Sequence, residues 1–308
     1  MKTSGQKLIV AVTAATGWTQ YDSPRAMDEP ALSNPVDLAG WLSGMSIEDK
    51  LEFHDRNLIQ TQALYGTIVE VLEEYGDWVK VAIQDQRSHK DERGYPCWMP
   101  RHQLAESEEY VCTTQRGVWA VVTQPKARLY HDPYRQGDIV SFQTRLPVLS
   151  HNEEWVTVST PIGQQMLRAM DVIVTDGKER KDALAGQRIV EAGRMFLDLP
   201  YLWGGLSSFG YDCSGFAYSM HRSQGITIPR DASDQAQYGW SIPTAELEPG
   251  DLLFFAREEG KGAVHHVGIY AGDGMMIHSP ETLRSIEIIP LRGYKYEREH
   301  CISRRYWM

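Results

Sequence analysis

The chain holds 308 residues, 42% of them hydrophobic and 23% charged, with a formal net charge of −10. There is apolar material for two or three packed domains, while the acidic balance and the lack of a basic run speak against nonspecific binding to nucleic acid or an anionic membrane. Four scattered cysteines (Cys97, Cys112, Cys213, Cys301), with no CxxC and no HExxH, give no support to a disulfide framework, a metal site or a cofactor, and they suit a reducing compartment.

The chain opens with MKTSGQKLIVAVTAATGWTQ. Two lysines ahead of LIVAVTAA, with small residues beyond, have the outline of a signal peptide. The apolar run is short and broken by Thr13, however, and KLIVAV reads equally well as a strand. The expected location is the cytoplasm, with secretion or the periplasm as the alternative. A membrane span is excluded by the length of the run.

Residues 35–56 have helical periodicity, and Ser46 with Glu48 marks a helix start. An internal repeat follows. TIVEVLEEYGDWVKV (67–81) aligns without a gap on TRLPVLSHNEEWVTV (144–158), 77 residues further on. Val71 matches Val148, Leu72 matches Leu149, Trp78 matches Trp155 and Val81 matches Val158. Each copy alternates apolar and polar residues around a turn, the pattern of half-buried strands. Two small β-barrels are expected, with the tryptophans in their cores. A further helix is expected within 176–200, where Ile189, Val190, Gly193, Phe196 and Leu197 recur at helical spacing until Pro200.

In YLWGGLSSFGYDCSGFAYSMHRSQG (201–225), Asp212 reads as an N-cap. Phe216, Ala217 and Met220 form an apolar helix face, and Gly225 is the stop. The Cys213 thiol is thereby set at a helix N-terminus, where its pKa is expected to fall. A free cysteine packed as a small hydrophobe is the competing explanation. From Leu252 onward the strands DLLFF, HHVGIYA, MMIHS and SIEIIPL make the last region α+β.

A cysteine nucleophile needs a base, and the base an orienting group. His265, His266 and His278 flank the turn signal GDG. A two-residue turn at Asp273-Gly274 would pair Ile269 with His278 and put His278 on the face of His265. A three-residue turn over Gly272 to Gly274, with Gly274 left-handed, would pair Gly268 with His278 and set it diagonal to His266. Spacing leaves both registers open.

The segments PYLWGG, GYDCSGF, IPRDASDQ, PGDLLFF, HHVGIY and MMIHSP, in that order, resemble the NlpC-type cysteine peptidases, a papain-like family that cleaves bacterial cell-wall peptides. Upstream, TQALYG, GDWVKV, DQRSHKDERGYPCWMPRHQL and TRLPVL resemble the two bacterial SH3-like domains that precede the peptidase in γ-D-glutamyl-L-diamino-acid endopeptidases. The resemblance implies a multidomain chain. An N-terminal arm with one SH3-like β-barrel would occupy 1–115, a second barrel 116–178, and an α+β papain-like peptidase domain 179–308.

It also implies hydrolysis of the γ-D-glutamyl–diamino-acid bond in short stem peptides with a free N-terminal L-alanine. Cys213 would be the nucleophile, His266 the base and His278 its orienting group, so the three-residue register is the one implied and His265 is a bystander. The Cys213 N–H and the Tyr201 hydroxyl would form the oxyanion hole. Asp212, Asp231 and Ser214 are candidates for holding the substrate amine, the two aspartates also serving as N-caps, while Tyr95, Trp203 and Ser233 are further substrate-binding candidates. No metal or cofactor is implied, and the partner is a small peptide.

Three positions depart from the subfamily pattern: Thr67 where an acidic residue is common, Ala232 (with Ser233 next) where serine follows RD, and Cys97 where glycine is usual. Two other readings share these residues: a non-catalytic binding module for cell-wall peptides, and an amidase or acyltransferase using the same cysteine and histidines.

Overall fold

The computed structural model describes residues 5–177 and 182–307. They group into two compact units, the first of 5–85, 90–177 and 207–209, the second of 86–89, 182–206 and 210–307.

The first unit is β-rich. One sheet contains β1 (Lys7–Val10), β2 (Ala14–Trp18), β3 (Ile59–Leu64), β4 (Ile68–Tyr75), β5 (Trp78–Ile83), β6 (Tyr95–Pro100) and β7 (Leu104–Ala105), in the order β3-β2-β6-β5-β4-β1-β7. The other contains β8 (Trp119–Val122), β9 (Lys126–Asp132), β10 (Arg135–Ser141), β11 (Arg145–His151), β12 (Trp155–Thr160), β13 (Gly163–Arg168) and β14 (Val172–Thr175). Its order, β10-β9-β13-β12-β11-β8-β14, is that of the first sheet with seven added to every label.

The sequence repeat lies on the hairpins β4–β5 and β11–β12. Val71 pairs with Val81 and Val148 with Val158, and in each hairpin the ladder slips directly after that pair. The bulges therefore fall at Leu72 and Leu149, two positions that the repeat matches. The alternating valines of each copy turn inward to separate cores, one with Val69, Val79 and Val81, the other with Val148, Val156 and Val158. Trp155 is buried as expected, but Trp78 is only half-buried.

Lys7–Val10 takes the strand alternative, pairing with β4 and β7. The helix expected over 35–56 is two, α1 (Leu38–Gly44) and α2 (Ile47–Asp55). The break follows from Ser46, whose hydroxyl accepts from the Asp49 N–H while its own N–H donates to the Asp49 carboxylate, a capping box that starts a helix afresh. Cys97 gains an account the sequence lacked. It is buried on β6, and a Cβ at Gly17 would come within 2.5 Å of its sulfur, so the thiol fills space that Gly17 leaves open.

The second unit is α+β. Its antiparallel sheet contains β15 (Trp240–Ser241), β16 (Leu252–Ala256), β17 (Val264–Gly272), β18 (Met275–His278), β19 (Glu287–Pro290) and β20 (His300–Arg305), in the order β15-β20-β16-β17-β18-β19. The helix expected within 176–200 is α3 (Ala185–Arg194), and residues 178–181 of that stretch, with the domain boundary placed there, lie outside the described residues. It stops short of Pro200 because residues 195–199 tighten into turns, with Phe196 buried edge-on against Tyr211. Helix α4 (Cys213–Arg222) packs on β17, burying Phe216, Ala217 and Met220. Its first turn approaches the preceding loop so closely that a Cβ on Gly215 would stand 2.2 Å from the Gly205 carbonyl oxygen. Among the described residues no helix is long and apolar enough to cross a membrane.

Candidate active site

Cys213 is the first residue of α4, and Asp212 caps it by accepting the Gly215 N–H at 2.6 Å. The same carboxylate is engaged further. Its Oδ1 accepts from the Ser214 hydroxyl at 3.2 Å and from Arg230 Nη1 at 3.1 Å, and its Oδ2 from Arg230 Nη2 at 2.7 Å. Arg230 also donates to the Ser214 hydroxyl at 2.9 Å, and the Gln235 amide donates to the Ser214 carbonyl at 3.1 Å. Asp212, Ser214, Arg230 and Gln235 are all buried. Both Asp212 oxygens are therefore committed inside the fold, to the helix start and to a buried guanidinium.

The expected lowering of the Cys213 pKa is not what this environment produces. Although the residue is partly accessible, desolvation of its sulfur and then the Asp212 charge push the thiol up to about 12. The Val267 N–H, Arg230 and the Ser214 N–H oppose the shift without reversing it. The helix N-terminus does supply N–H groups, but its pull is weaker than burial next to a carboxylate.

The β17–β18 hairpin settles the register. Ile269 pairs with Ile277, so Gly268 stands opposite His278, and Gly272, Asp273 and Gly274 all have positive φ. This is the three-residue alternative. Gly268 is required there, because a Cβ would fall 2.2 Å from the Met276 sulfur and 3.3 Å from the His278 Cβ. His266 Nε2 and His278 Nδ1 are 2.8 Å apart, with both rings buried. Tyr296 stacks on His266 at 4.6 Å between centroids and meets His278 edge-on at 5.8 Å.

Burial, then His278, His265 and Lys295, hold His266 well below the usual imidazole range. Burial, then Arg284 and Lys295, bring His278 down to about 3. His265 turns elsewhere, its Nε2 lying 3.0 Å from Glu299.

Tyr201 joins the site through a parallel bridge to Tyr211, next to Asp212. Burial, then the charges of Cys213 and Asp212, raise its hydroxyl well above the ordinary phenol value, so it stays a donor. Asp231 occupies the N-cap position of α5 (Ala232–Gln235) but makes no side-chain cap hydrogen bond, contrary to the capping role expected of it. Trp203 is half-buried and Ser233 exposed. Tyr95 belongs to the first unit, buried on β6, where its ring lies under the Lys90 ammonium at 4.3 Å and its hydroxyl accepts from the same group.

Several partners escaped the sequence reading. Arg230 is the residue before Asp231, but only the fold reveals that it answers Asp212 across eighteen positions. Glu287 stands directly opposite His278 on β19, and its Oε1 is 3.3 Å from His278 Nε2. The second unit also holds 86–89, whose Arg87 carbonyl accepts from the Arg230 N–H at 3.0 Å, while the His89 N–H and ring meet the buried Asp234 carboxylate at 3.0 and 2.8 Å. No cluster of three His, Cys, Asp or Glu among the described residues could hold a metal ion.

A partly accessible cysteine at a helix start, on a sheet that carries a hydrogen-bonded histidine pair, is the arrangement the motifs implied. A profile of the NlpC/P60 family matches residues 198–305, and one of the YKFC SH3b2 domain matches 122–174. A γ-D-glutamyl-L-lysine dipeptidyl-peptidase of Bacillus cereus is 44% identical over 97% of this chain and 91% of its own length. The chain belongs to the NlpC/P60 family of cysteine peptidases. Another γ-D-glutamyl-L-lysine dipeptidyl-peptidase, from Bacillus subtilis, is 43% identical over 96% of this chain and 97% of its own. The crystal structure of an NlpC/P60 family protein from Bacillus cereus superposes with a TM-score of 0.94 at 42% identity, covering 98% of this chain and all of the other. Apart from residues 207–209, the NlpC/P60 match falls on the second unit, and the SH3b match falls on the sheet β8–β14.

Proposed function

We propose that this NlpC/P60 peptidase hydrolyses the γ-D-glutamyl–diamino-acid bond of short peptidoglycan tripeptides or tetrapeptides with a free N-terminal L-alanine, in cell-wall turnover or recycling within the cytoplasm. The observation that carries this is the His266–His278 pair on the sheet beneath the Cys213 helix, in a chain alike over nearly its whole length to two γ-D-glutamyl-L-lysine dipeptidyl-peptidases. A dipeptidyl-peptidase must register the end of its substrate, which calls for a carboxylate facing the terminal amine. Asp212, Asp231 and Ser214 would hold that amine, Asp212 while also capping its helix and pairing with Arg230, and Trp203 and Ser233 would line the peptide. The domain scheme is two SH3-like barrels, 1–115 and 116–178, before the peptidase domain, 179–308; identical strand order and shared bulges in the two sheets support it.

Thiol and imidazoles are neutral at rest, because burial raises the one and lowers the others. His266 therefore takes the Cys213 proton as sulfur attacks the γ-carbonyl, rather than holding a preformed ion pair. The Cys213 N–H and the Tyr201 hydroxyl receive the oxyanion. His266 then protonates the departing amine, and water, activated by the same imidazole, releases the dipeptide from the thioester.

The test is mass spectrometry of L-Ala-γ-D-Glu-L-Lys beside its N-acetyl form, with Cys213→Ala as control. Cleavage of the free peptide alone, lost in Cys213→Ala, is expected. Cleavage of both peptides would remove the amine requirement, and cleavage of neither would favour a binding module or another amide.

A further inference from the structure

The proton order of the two histidines is set from outside the pair. Arg284 has only donors, and its Nη1 lies 2.6 Å from the Tyr294 hydroxyl, so that oxygen accepts. The Tyr294 proton is left to face Glu287 Oε1 at 3.3 Å. Arg284 Nη2 donates to the same carboxylate at 2.7 Å. Glu287 is thus held by two donors on β19, directly across the ladder from His278.

A carboxylate accepts only, so the His278 nitrogen facing it, Nε2, carries the hydrogen. Burial and Arg284 keep that ring neutral, which leaves His278 Nδ1 with a lone pair. His266 Nε2 must then donate across the 2.8 Å contact, and the one lone pair remaining on His266 is at Nδ1.

We infer that Glu287, anchored by Arg284 and Tyr294, is a positioning residue that fixes the tautomers of both histidines and so leaves His266 Nδ1 as the proton acceptor for Cys213. Arg284 offsets the carboxylate's charge at His278, so Glu287 acts by directing hydrogen bonds more than by stabilising an imidazolium. A neutral second histidine alone is ambiguous, since it could donate from either nitrogen. The carboxylate removes that choice two residues away from the reacting sulfur. The catalytic consequence rests on the acyl-transfer reading above, while the tautomer assignment does not.

The experiment uses the full chain, ¹⁵N-labelled at histidine, as wild type, Glu287→Gln and Glu287→Leu. Glutamine keeps an acceptor oxygen; leucine keeps the volume and removes the acceptor. Long-range ¹H–¹⁵N spectra identify the tautomers without substrate. We expect Nε2–H at both histidines in wild type and Glu287→Gln, and a mixture in Glu287→Leu. On L-Ala-γ-D-Glu-L-Lys, Glu287→Leu should lose about 10–100-fold in kcat with little change in KM, while Glu287→Gln keeps most of the activity.

A leucine variant with both Nε2–H tautomers and wild-type kcat would overturn the inference, as would a changed tautomer with kcat intact. If wild type leaves the tripeptide uncut while the tautomers respond as stated, the substrate reading fails and the tautomer assignment stands.

Discussion

Two polar groups, one at the start of the Cys213 helix and one on the sheet that the helix packs against, are built on opposite principles. On the helix side, Asp212 and Arg230 form a buried charged pair in which both carboxylate oxygens accept hydrogen bonds. On the sheet side, His266 and His278 are buried neutral, and the nearest charges, Glu287 and Arg284, stand at the rim of the pair. A buried ion pair is a poor place for a proton to move, because changing either charge strands the other. A neutral imidazole keeps a lone pair free to receive a proton, and the charge it takes on is balanced by the thiolate that gives the proton up. Fixed charge holds the nucleophile's backbone, and neutral rings handle the proton.

Three experiments bear on that division. The largest effect should come from the neutral side. His278→Ala should lower kcat by about 10²–10⁴-fold while leaving the fold and peptide binding close to wild type, whereas His265→Ala should be nearly silent. Steady-state kinetics with a circular-dichroism melt would show this, and the opposite ranking would undo the division of labour. On the charged side the loss should be of stability. Arg230→Ala leaves Asp212 buried without its cation, and denaturant unfolding should register a cost of about 3–5 kcal/mol.

The smallest effect is a pH slope. Burial lowers His221, at the far end of α4, to about 4 from 6.5. Between those values the unfolded chain binds the extra proton, so this stabilisation is complete above 6.5 and is lost on acidification, by up to about 1.4 kcal/mol per pH unit. His278 adds the same sign down to about 3. Unfolding midpoints measured from pH 7 to 4 should fall less steeply in His221→Gln than in wild type; equal slopes would mean the ring is not desolvated.

Much of this was legible without coordinates, and for physical reasons. Period-two alternation exposed both hairpins of the repeat, because each buries one face. Asp212, Cys213 and the apolar face of α4 announced a capped helix. The hairpin's GDG was compatible with two registers, and the one observed depends on Gly268 accepting Met276 and His278 against its bare backbone.

The Cys213 pKa was misjudged because a helix N-terminus is visible in sequence and desolvation is not. Arg230 and Glu287 were missed for a related reason. Their partners lie across loops whose paths no local pattern dictates, and an arginine or glutamate in such a segment reads as surface.

The four residues 86–89 alter how this chain can be divided. A gene fragment starting after residue 178 would encode the family's matched segment yet omit Arg87 and His89. Its product would carry Asp234, almost fully buried, without the N–H and imidazole that satisfy it, and Arg230 without the carbonyl that its own N–H requires. The second unit is therefore discontinuous in the gene, and a single cut cannot separate it from the first without leaving part of it behind.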